Sequence, residues 1–199
     1  MPDQSPPPPP PSTPPPPSLA WRWFTGLAWA LVPAAVTGGL VWFGRAYTPD
    51  YAASFFGSRF ADAQHLKADL GTALLGLAVL QLLLALAVYG VLPVPQAARH
   101  RLATGHRVGG LAAFLVSLPI AVHCIRAYGV ATYDTRVTVH SLTGCFLYGA
   151  FAAKVIVVRN RRVPGWAIPI VGGVLVVAIA LLWYTAALWD FNEQQVPGF

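Results

Sequence analysis

Charged residues are scarce in this chain, and the scarcity decides its solvent. Asp, Glu, Lys and Arg make up 10% of the 199 residues, whereas hydrophobic residues make up 56%. An ordinary soluble domain has about 25% charged residues. The apolar residues also fall in long blocks rather than singly. These features exclude a soluble globular domain and predict a protein that folds in lipid.

The sequence also predicts neither a disulfide framework nor a cleavable leader. Two cysteines, Cys124 and Cys145, fall within apolar blocks and make no disulfide framework. The first residues lack a basic start followed by an apolar core, so no cleavable signal peptide is predicted. The net charge of +6 comes from basic residues at the ends of apolar blocks. Membrane topology explains that placement, and nucleic-acid binding is not predicted.

The N-terminal tail, residues 1–19, is rich in proline. Proline runs favour an extended polyproline II conformation and cannot build a core. We predict a disordered cytoplasmic tail followed by a membrane domain at 20–199. The alternative is a docking peptide for a cytoplasmic partner with an aromatic-lined groove.

Five apolar blocks follow the tail, each with roughly the 20 residues that cross a bilayer about 30 Å thick. Backbone polar groups in lipid must be satisfied internally, so the blocks are predicted to be helices. The predicted fold is an all-α integral membrane bundle of five transmembrane helices. The predicted spans are about 23–44, 70–92, 108–128, 137–158 and 166–189.

The loops predict the orientation. Segments 93–107 and 159–165 carry arginines and no acidic residue, whereas the opposite loops and the C-terminal tail contain acidic residues. By the positive-inside rule, the arginine-rich loops and the N-terminus are cytoplasmic and the C-terminus is outside. We therefore predict a multi-pass plasma-membrane protein.

The histidines are the candidate binding residues, because ligating side chains at membrane depth are uncommon. His123 and His140 are predicted at a similar level, about one turn inside the outer ends of the third and fourth spans. His65 lies on the outer approach to the second span, and His106 at the cytoplasmic mouth of the third. His100 falls in the cytoplasmic arginine-rich loop.

Histidines converging at the outer half of a bundle suggest a metal or haem, with His140 and His123 as axial ligands of the haem iron. Hydrogen bonds between helices and a proton relay remain open alternatives. Gly144, one turn from His140, gives the relief that a flat macrocycle needs, although ordinary helix packing favours small residues too. Lys154 is interpreted either as extending to the inner headgroups or as a partner for an anionic group within the bundle.

The run from Thr138 to Gly144, Thr-Val-His-Ser-Leu-Thr-Gly, resembles the His-Ser-x-x-Gly signature of the cytochrome b five-sixty-one family of membrane di-haem proteins. In that family, diagonal core helices pair their histidines to hold two b-type haems. The resemblance implies that His65 and His140 hold an outer haem. His106 corresponds to the histidine that opens a core helix, but the last span has no histidine to pair with it.

The run from Tyr148 to Lys154 and the tryptophan-rich last span also resemble an uncharacterised five-span membrane protein family of actinobacteria. That resemblance implies no activity.

The leading functional hypothesis is therefore a haem-b-binding electron-transfer protein, with cofactor-binding candidates His140, His123, His65 and His106 and a quinol or redox protein as partner. The alternative is a non-catalytic membrane subunit or assembly protein without cofactor. No catalytic residue is assigned.

Overall fold

The computed structural model describes residues 19–160 and 163–199, with side chains described from residue 31 onward in these ranges. Regular secondary structure in this part of the chain is helical throughout, apart from an isolated bridge between Phe55 and Ser58. The predicted all-α class is therefore confirmed. The predicted disorder of the proline-rich tail, up to residue 18, lies outside the described residues.

Five helices follow one another along the described chain. They are α1 Leu19–Ala46, α2 Phe60–Val88, α3 Gln96–Tyr128, α4 Thr135–Arg159 and α5 Ala167–Phe191. The start of α4 is set by Asp134, whose side chain accepts a hydrogen bond from the backbone N–H of Val137 at 2.7 Å. Near its end, α5 contains a π-helical turn, Tyr184–Leu188.

Four helices, α2 to α5, are long and apolar enough to cross a membrane. The shortest of them, at 25 residues, is about 37 Å long at about 1.5 Å per residue, more than the roughly 30 Å hydrocarbon layer. The chain is therefore an integral membrane protein of multi-pass helical type. Of α1, the segment Leu31–Ala46 is apolar but shorter.

The helices extend further than the apolar blocks indicated. α2 begins at Phe60 rather than at residue 70, and α3 begins at Gln96 rather than at residue 108. Hydropathy detects only the lipid-spanning part of a helix, whereas the helical hydrogen bonds continue into the polar flanks. His65 consequently lies within α2 instead of on its approach. His100 and His106 lie within α3, so His100 is not in a loop.

The helices α2 to α5 surround a common interior, and α1 packs against α4. The backbones of α2 and α3, α2 and α5, and α4 and α5 approach closely. Between α3 and α4, contact is made through aromatic rings, with the centroid of Phe114 4.6 Å from that of Phe151 and 6.2 Å from that of Tyr148. α2 and α4 are therefore diagonal partners, and the wider α3–α4 side leaves space inside the bundle.

One glycine sets the approach of α1 to α4. A Cβ atom at Gly149 would overlap the Thr37 side chain and lie 2.7 Å from the carbonyl oxygen of Pro33. A residue without a side chain is what allows the two helix backbones to come so close.

The two ends of the bundle differ in charge. The arginine end comprises the loop 89–95, residues 160 and 163–166, and the first turns of α3. The C-terminal end comprises the loops 47–59 and 129–134 and the segment 192–199. The acidic residues of the described chain all lie in the half nearer the C-terminal end. They are Asp50, Asp62, Asp69, Asp134, Asp190 and Glu193.

Candidate functional site

The π turn of α5 holds together the polar side chains at the C-terminal end. A π turn disturbs the regular pairing of the helix and is often found at functional positions. The Thr185 carbonyl in this turn accepts a hydrogen bond from Nη1 of Arg136 on α4, at 2.7 Å. The same guanidinium lies 3.9 Å from the centroid of the Trp189 ring. Arg136 therefore fastens α4 to the π turn by a hydrogen bond and a cation–π contact.

His140 contacts the same turn. Its Nδ1 lies 3.0 Å from Oγ1 of Thr185, a residue with 0% of its surface exposed. Because this hydroxyl donates to the Leu181 carbonyl at 2.7 Å, it accepts from Nδ1–H of His140. The pairing gives the buried Thr185 and the partly buried His140 a common hydrogen bond and leaves Nε2 as the lone-pair nitrogen of a neutral His140.

His65 lies on the other side of α5, against its last turn. Its Nδ1 is 2.5 Å from Oδ2 of Asp190, and Nε2 of Gln64 donates to Oδ1 of the same carboxylate at 2.9 Å. The Asp190 side chain is 6% exposed, but the His65 side chain is 62% exposed. His65 therefore serves as a surface partner of a buried carboxylate in this structure.

His123 connects α3 to the loop 47–59. The residue is 5% exposed, and its Nε2 donates to the Ala53 carbonyl at 3.1 Å. Its ring centroid lies 5.0 Å from that of the buried Phe55. Nδ1 of His123 has no hydrogen-bond partner. The side chain thus packs the loop onto the end of the bundle.

His106 lies in the other half of the bundle, beside Gln81 of α2. Its Nδ1 is 3.2 Å from the Gln81 carbonyl oxygen. With the Gln81 amide in the orientation that its neighbours favour, Nε2 of Gln81 donates to Nδ1 of His106 at 2.8 Å and to its carbonyl at 2.7 Å. A Cβ atom at Gly109 would overlap this amide, so the glycine makes the polar contact between α2 and α3 possible.

His140 of α4 and His65 of α2 both contact the last turns of α5, at Thr185 and Asp190, whereas His123 and His106 contact other elements. His140 has one feature of an axial ligand, because a second residue fixes its Nδ1. However, His65 is largely exposed, and Nε2 of His123 already donates to a carbonyl. These residues do not fit a bis-histidine haem in this packing. In the described ranges, no three His, Cys, Asp or Glu side chains cluster in a way that could hold a metal ion.

A cavity of about 170 Å³ lies between α2, α3, α4 and α5. Each helix lines it with residues from the half nearer the arginine end. The apolar lining includes Leu74, Ala113, Phe114, Leu147 and Phe151, and the polar lining consists of Gln81, His106, Ser117, Tyr148 and Lys154, with Tyr89 at the edge. Of the four candidate histidines, His106 alone faces this space.

The polar groups of this cavity differ in their hydrogen bonding. Tyr148 donates to Oγ of Ser117 at 3.1 Å, and Ser117 donates to the Phe114 carbonyl at 2.7 Å. Gln81 and His106 contact each other, as described above. Lys154 makes no hydrogen bond or ion pair within the described residues. The cavity therefore presents an apolar wall, internally satisfied polar groups and one amine without a partner.

Comparison with known proteins gives the family of the chain. The chain belongs to the family of unknown function DUF6529, which matches residues 26–198. No curated protein and no solved structure matches it. Membership in this family carries no activity, and the resemblance to the cytochrome b five-sixty-one family stays a prediction.

Sequence reasoning missed the residues that hold the histidines. Thr185 lies in an apolar run that predicts only a lipid-spanning helix, and Arg136 lies where a basic residue is ordinary at a membrane interface. Asp190 was recognised only as a charge that marks the outer side. Gln81 is different, because it is a polar side chain near the middle of the second apolar block. Its isolation in lipid was the one available signal of an interhelical contact.

Proposed function

We propose that this chain is a non-catalytic plasma-membrane protein of five spans that binds one small, largely apolar molecule between α2, α3, α4 and α5. The observation that carries the proposal is the cavity of about 170 Å³ with polar groups at one side of an apolar wall. An apolar pocket with a few convergent polar groups is the common form of a small-molecule site.

The cavity accommodates a single ring or a short chain segment, and because it is partly open a longer chain can extend out of it. An apolar cavity of about 150 Å³ inside a helical protein holds one benzene molecule. The rings of Phe114 and Phe151 line the space, and the hydroxyl of Tyr148 is directed to Ser117 rather than left unsatisfied. A ligand can therefore fill the apolar part of the cavity without breaking hydrogen bonds of the bundle.

The test is the binding of a neutral single-ring probe, methyl 4-octylbenzoate, measured by native mass spectrometry in a neutral detergent. Gly173 lines the cavity, and a Cβ atom there meets nothing within 4 Å. Gly173→Leu should fill the space and abolish binding. Gly76→Leu is the matched control, because Gly76 on α2 is also open but lies outside the cavity lining.

Binding that is unchanged in Gly173→Leu would contradict the proposal. If Gly173→Leu does not fold, Ala113→Phe provides a second filling variant, because Ala113 also lines the cavity. Retention of the probe in both variants would place it on the lipid-facing surface instead.

The proposed orientation puts the arginine end and the N-terminus in the cytoplasm. It is supported by Arg99, Arg101, Arg107 and Arg159 at an end that has no described acidic residue. The apolar block 23–44 supports α1 as the fifth span.

Single cysteines test the orientation in a background where Cys124 and Cys145 are replaced by alanine. In intact cells, a membrane-impermeant maleimide should label Thr132→Cys but not Gly165→Cys. The reverse pattern would contradict the orientation.

Haem b ligation for electron transfer, with a quinol or redox protein as partner, stays a prediction of the family resemblance. His140 and His65 do lie on the diagonal helices α4 and α2, as the resemblance implies, but their contacts with Thr185 and Asp190 do not fit a haem in this packing. Purification after expression with ample haem, followed by reduced-minus-oxidised spectra, tests it. A b-type band that disappears in His140→Ala and persists in His100→Ala would support the prediction, and absence of any band would reject it.

A further inference from the structure

Lys154 is the unusual residue of the cavity. It lies on α4 together with Leu147 and Phe151, and all three face the space between the four helices. An ionisable side chain inside a membrane bundle usually pairs with another group or marks a binding site. Lys154 has neither a hydrogen bond nor an ion pair with any described residue. This half-buried amine therefore lacks the partner that an ionisable group within a membrane bundle usually has.

Among the residues that the structure describes, no carboxylate lies near Lys154. The described acidic residues lie in the half nearer the C-terminal end, whereas Lys154 lies one and a half turns from Arg159, at the arginine end. The other polar lining groups are paired with one another. Among the described residues, none supplies a negative charge to Lys154, which leaves this position open to the charge of a bound molecule.

The geometry also fixes how such a molecule would lie. Leu147, Phe151 and Lys154 are spaced four and three residues apart, so they form one face of α4 about 10 Å long. Lys154 stands at the arginine end of that face, and the apolar residues continue from it toward the middle of the bundle. A ligand with its charge at Lys154 would place its apolar part along Phe151 and Leu147.

We propose that the cavity binds an anionic amphiphile, whose carboxylate or phosphate pairs with Lys154 and whose apolar ring or chain fills the space between α2, α3, α4 and α5. This inference rests on the proposed function, because it names the chemistry of the ligand at the same site. It also assigns Lys154, rather than a histidine, as the residue that selects the ligand.

The test compares two probes that differ in charge. In native mass spectrometry in neutral detergent, 4-octylbenzoate should bind the wild-type protein roughly tenfold or more tightly than methyl 4-octylbenzoate, the range that a hydrogen bond to a charged group contributes. Lys154→Met keeps the length and apolar character of the side chain and removes its charge. The preference for the acid should disappear in this variant, while the ester binds as before.

Lys67→Met is the matched control. Lys67 lies over the ring of Tyr128 near the C-terminal end and does not line the cavity. The preference for 4-octylbenzoate should survive this substitution. Loss of the preference in both variants would mean that net charge alone causes it, and would overturn the proposal.

Two sources of the anionic group can be separated with two further probes. A single-chain phosphate, 4-octylphenyl phosphate, represents a small amphiphile, and dioleoylphosphatidylglycerol represents a membrane lipid. Whichever binds in the wild type and is lost in both Gly173→Leu and Lys154→Met identifies the source. A lipid retained in Gly173→Leu sits on the surface of the bundle, where arginines attract it without the cavity.

The outcomes distinguish this inference from the proposed function. If acid and ester bind equally and both are lost in Gly173→Leu, the cavity binds a neutral molecule and only the role of Lys154 is overturned. If neither probe depends on Gly173, the proposed function fails as well. If Lys154→Met changes nothing, its amine extends to the headgroups and the inference is wrong.

Discussion

The two halves of this bundle differ in how they treat their ionisable side chains. At the C-terminal end, Thr185 of the π turn joins His140 and Arg136 through hydrogen bonds, and Asp190 holds His65. At the arginine end, the helices line a partly open cavity that includes Lys154, which has no ion pair with any described residue. In lipid, a satisfied polar group stabilises the bundle, whereas an unsatisfied one costs free energy unless a ligand completes it.

The contacts of the four candidate histidines indicate a structural role rather than a binding role. Histidine inside a membrane first suggests a cofactor, yet each candidate histidine here has a protein partner on another element. Their contacts join α4 to α5, α2 to α5, α3 to the loop 47–59 and α2 to α3. The histidines therefore connect elements of the fold. Binding is inferred instead at the cavity, where Lys154 has no partner among the described residues.

The largest loss of stability is expected from Thr185→Val. The substitution keeps the shape of the side chain but removes the hydroxyl that accepts from His140 and donates to Leu181. A buried imidazole N–H without a partner should lower the free energy of unfolding by about 1–3 kcal/mol. Unfolding in mixed micelles, followed by tryptophan fluorescence, measures it.

Thr143→Val serves as the control, because Thr143 on α4 makes no side-chain hydrogen bond in the structure. Its effect should stay within about 0.5 kcal/mol. Equal losses in the two variants would mean that the contacts of the π turn are not what stabilises the C-terminal half.

An intermediate loss is expected from Gln81→Met in the arginine half. The change removes the amide that contacts His106 and the backbone of α3, while the unbranched side chain still fits beside Gly109. Hydrogen bonds between membrane helices contribute about 0.6 kcal/mol on average and up to about 1.7 kcal/mol. The same unfolding assay should place this variant between Thr185→Val and the wild type, and a loss above that of Thr185→Val would reverse the proposed difference between the halves.

The smallest effect, or a gain in stability, is expected from Lys154→Met without ligand. Lys154 has no partner to lose, and removing an unpaired charge from an apolar environment relieves its desolvation. The melting temperature of the ligand-free protein should stay level or rise. A fall as large as that of Thr185→Val would show that Lys154 already has a stabilising partner.

Composition and block length were sufficient to predict the helical membrane class, because the need to satisfy backbone groups in lipid leaves few alternatives. The ends of α2 and α3 could not be predicted in the same way, since His65 and His106 lie in polar turns that continue the helix beyond the apolar block. The π turn at Tyr184–Leu188 had no detectable signal, because its residues are ordinary for a membrane span.

The candidate site was predicted only in part. The sequence singled out Lys154, and a partner for an anionic group within the bundle was one of its two interpretations. Which helices surround Lys154 depends on the wide side between α3 and α4, and that spacing follows from how Phe114 packs against Tyr148 and Phe151. Packing between segments that are distant in the sequence cannot be derived from the amino-acid sequence of a single chain.

The central claim is that the cavity binds an anionic amphiphile through Lys154. The most direct test is to identify the small molecule that co-purifies with the protein from its own membrane. Wild type, Gly173→Leu and Lys154→Met should be extracted in neutral detergent, and their bound small molecules compared by mass spectrometry. The structure predicts one anionic amphiphile, near one per chain in the wild type and depleted in both variants. The same set of molecules in all three proteins would contradict the account.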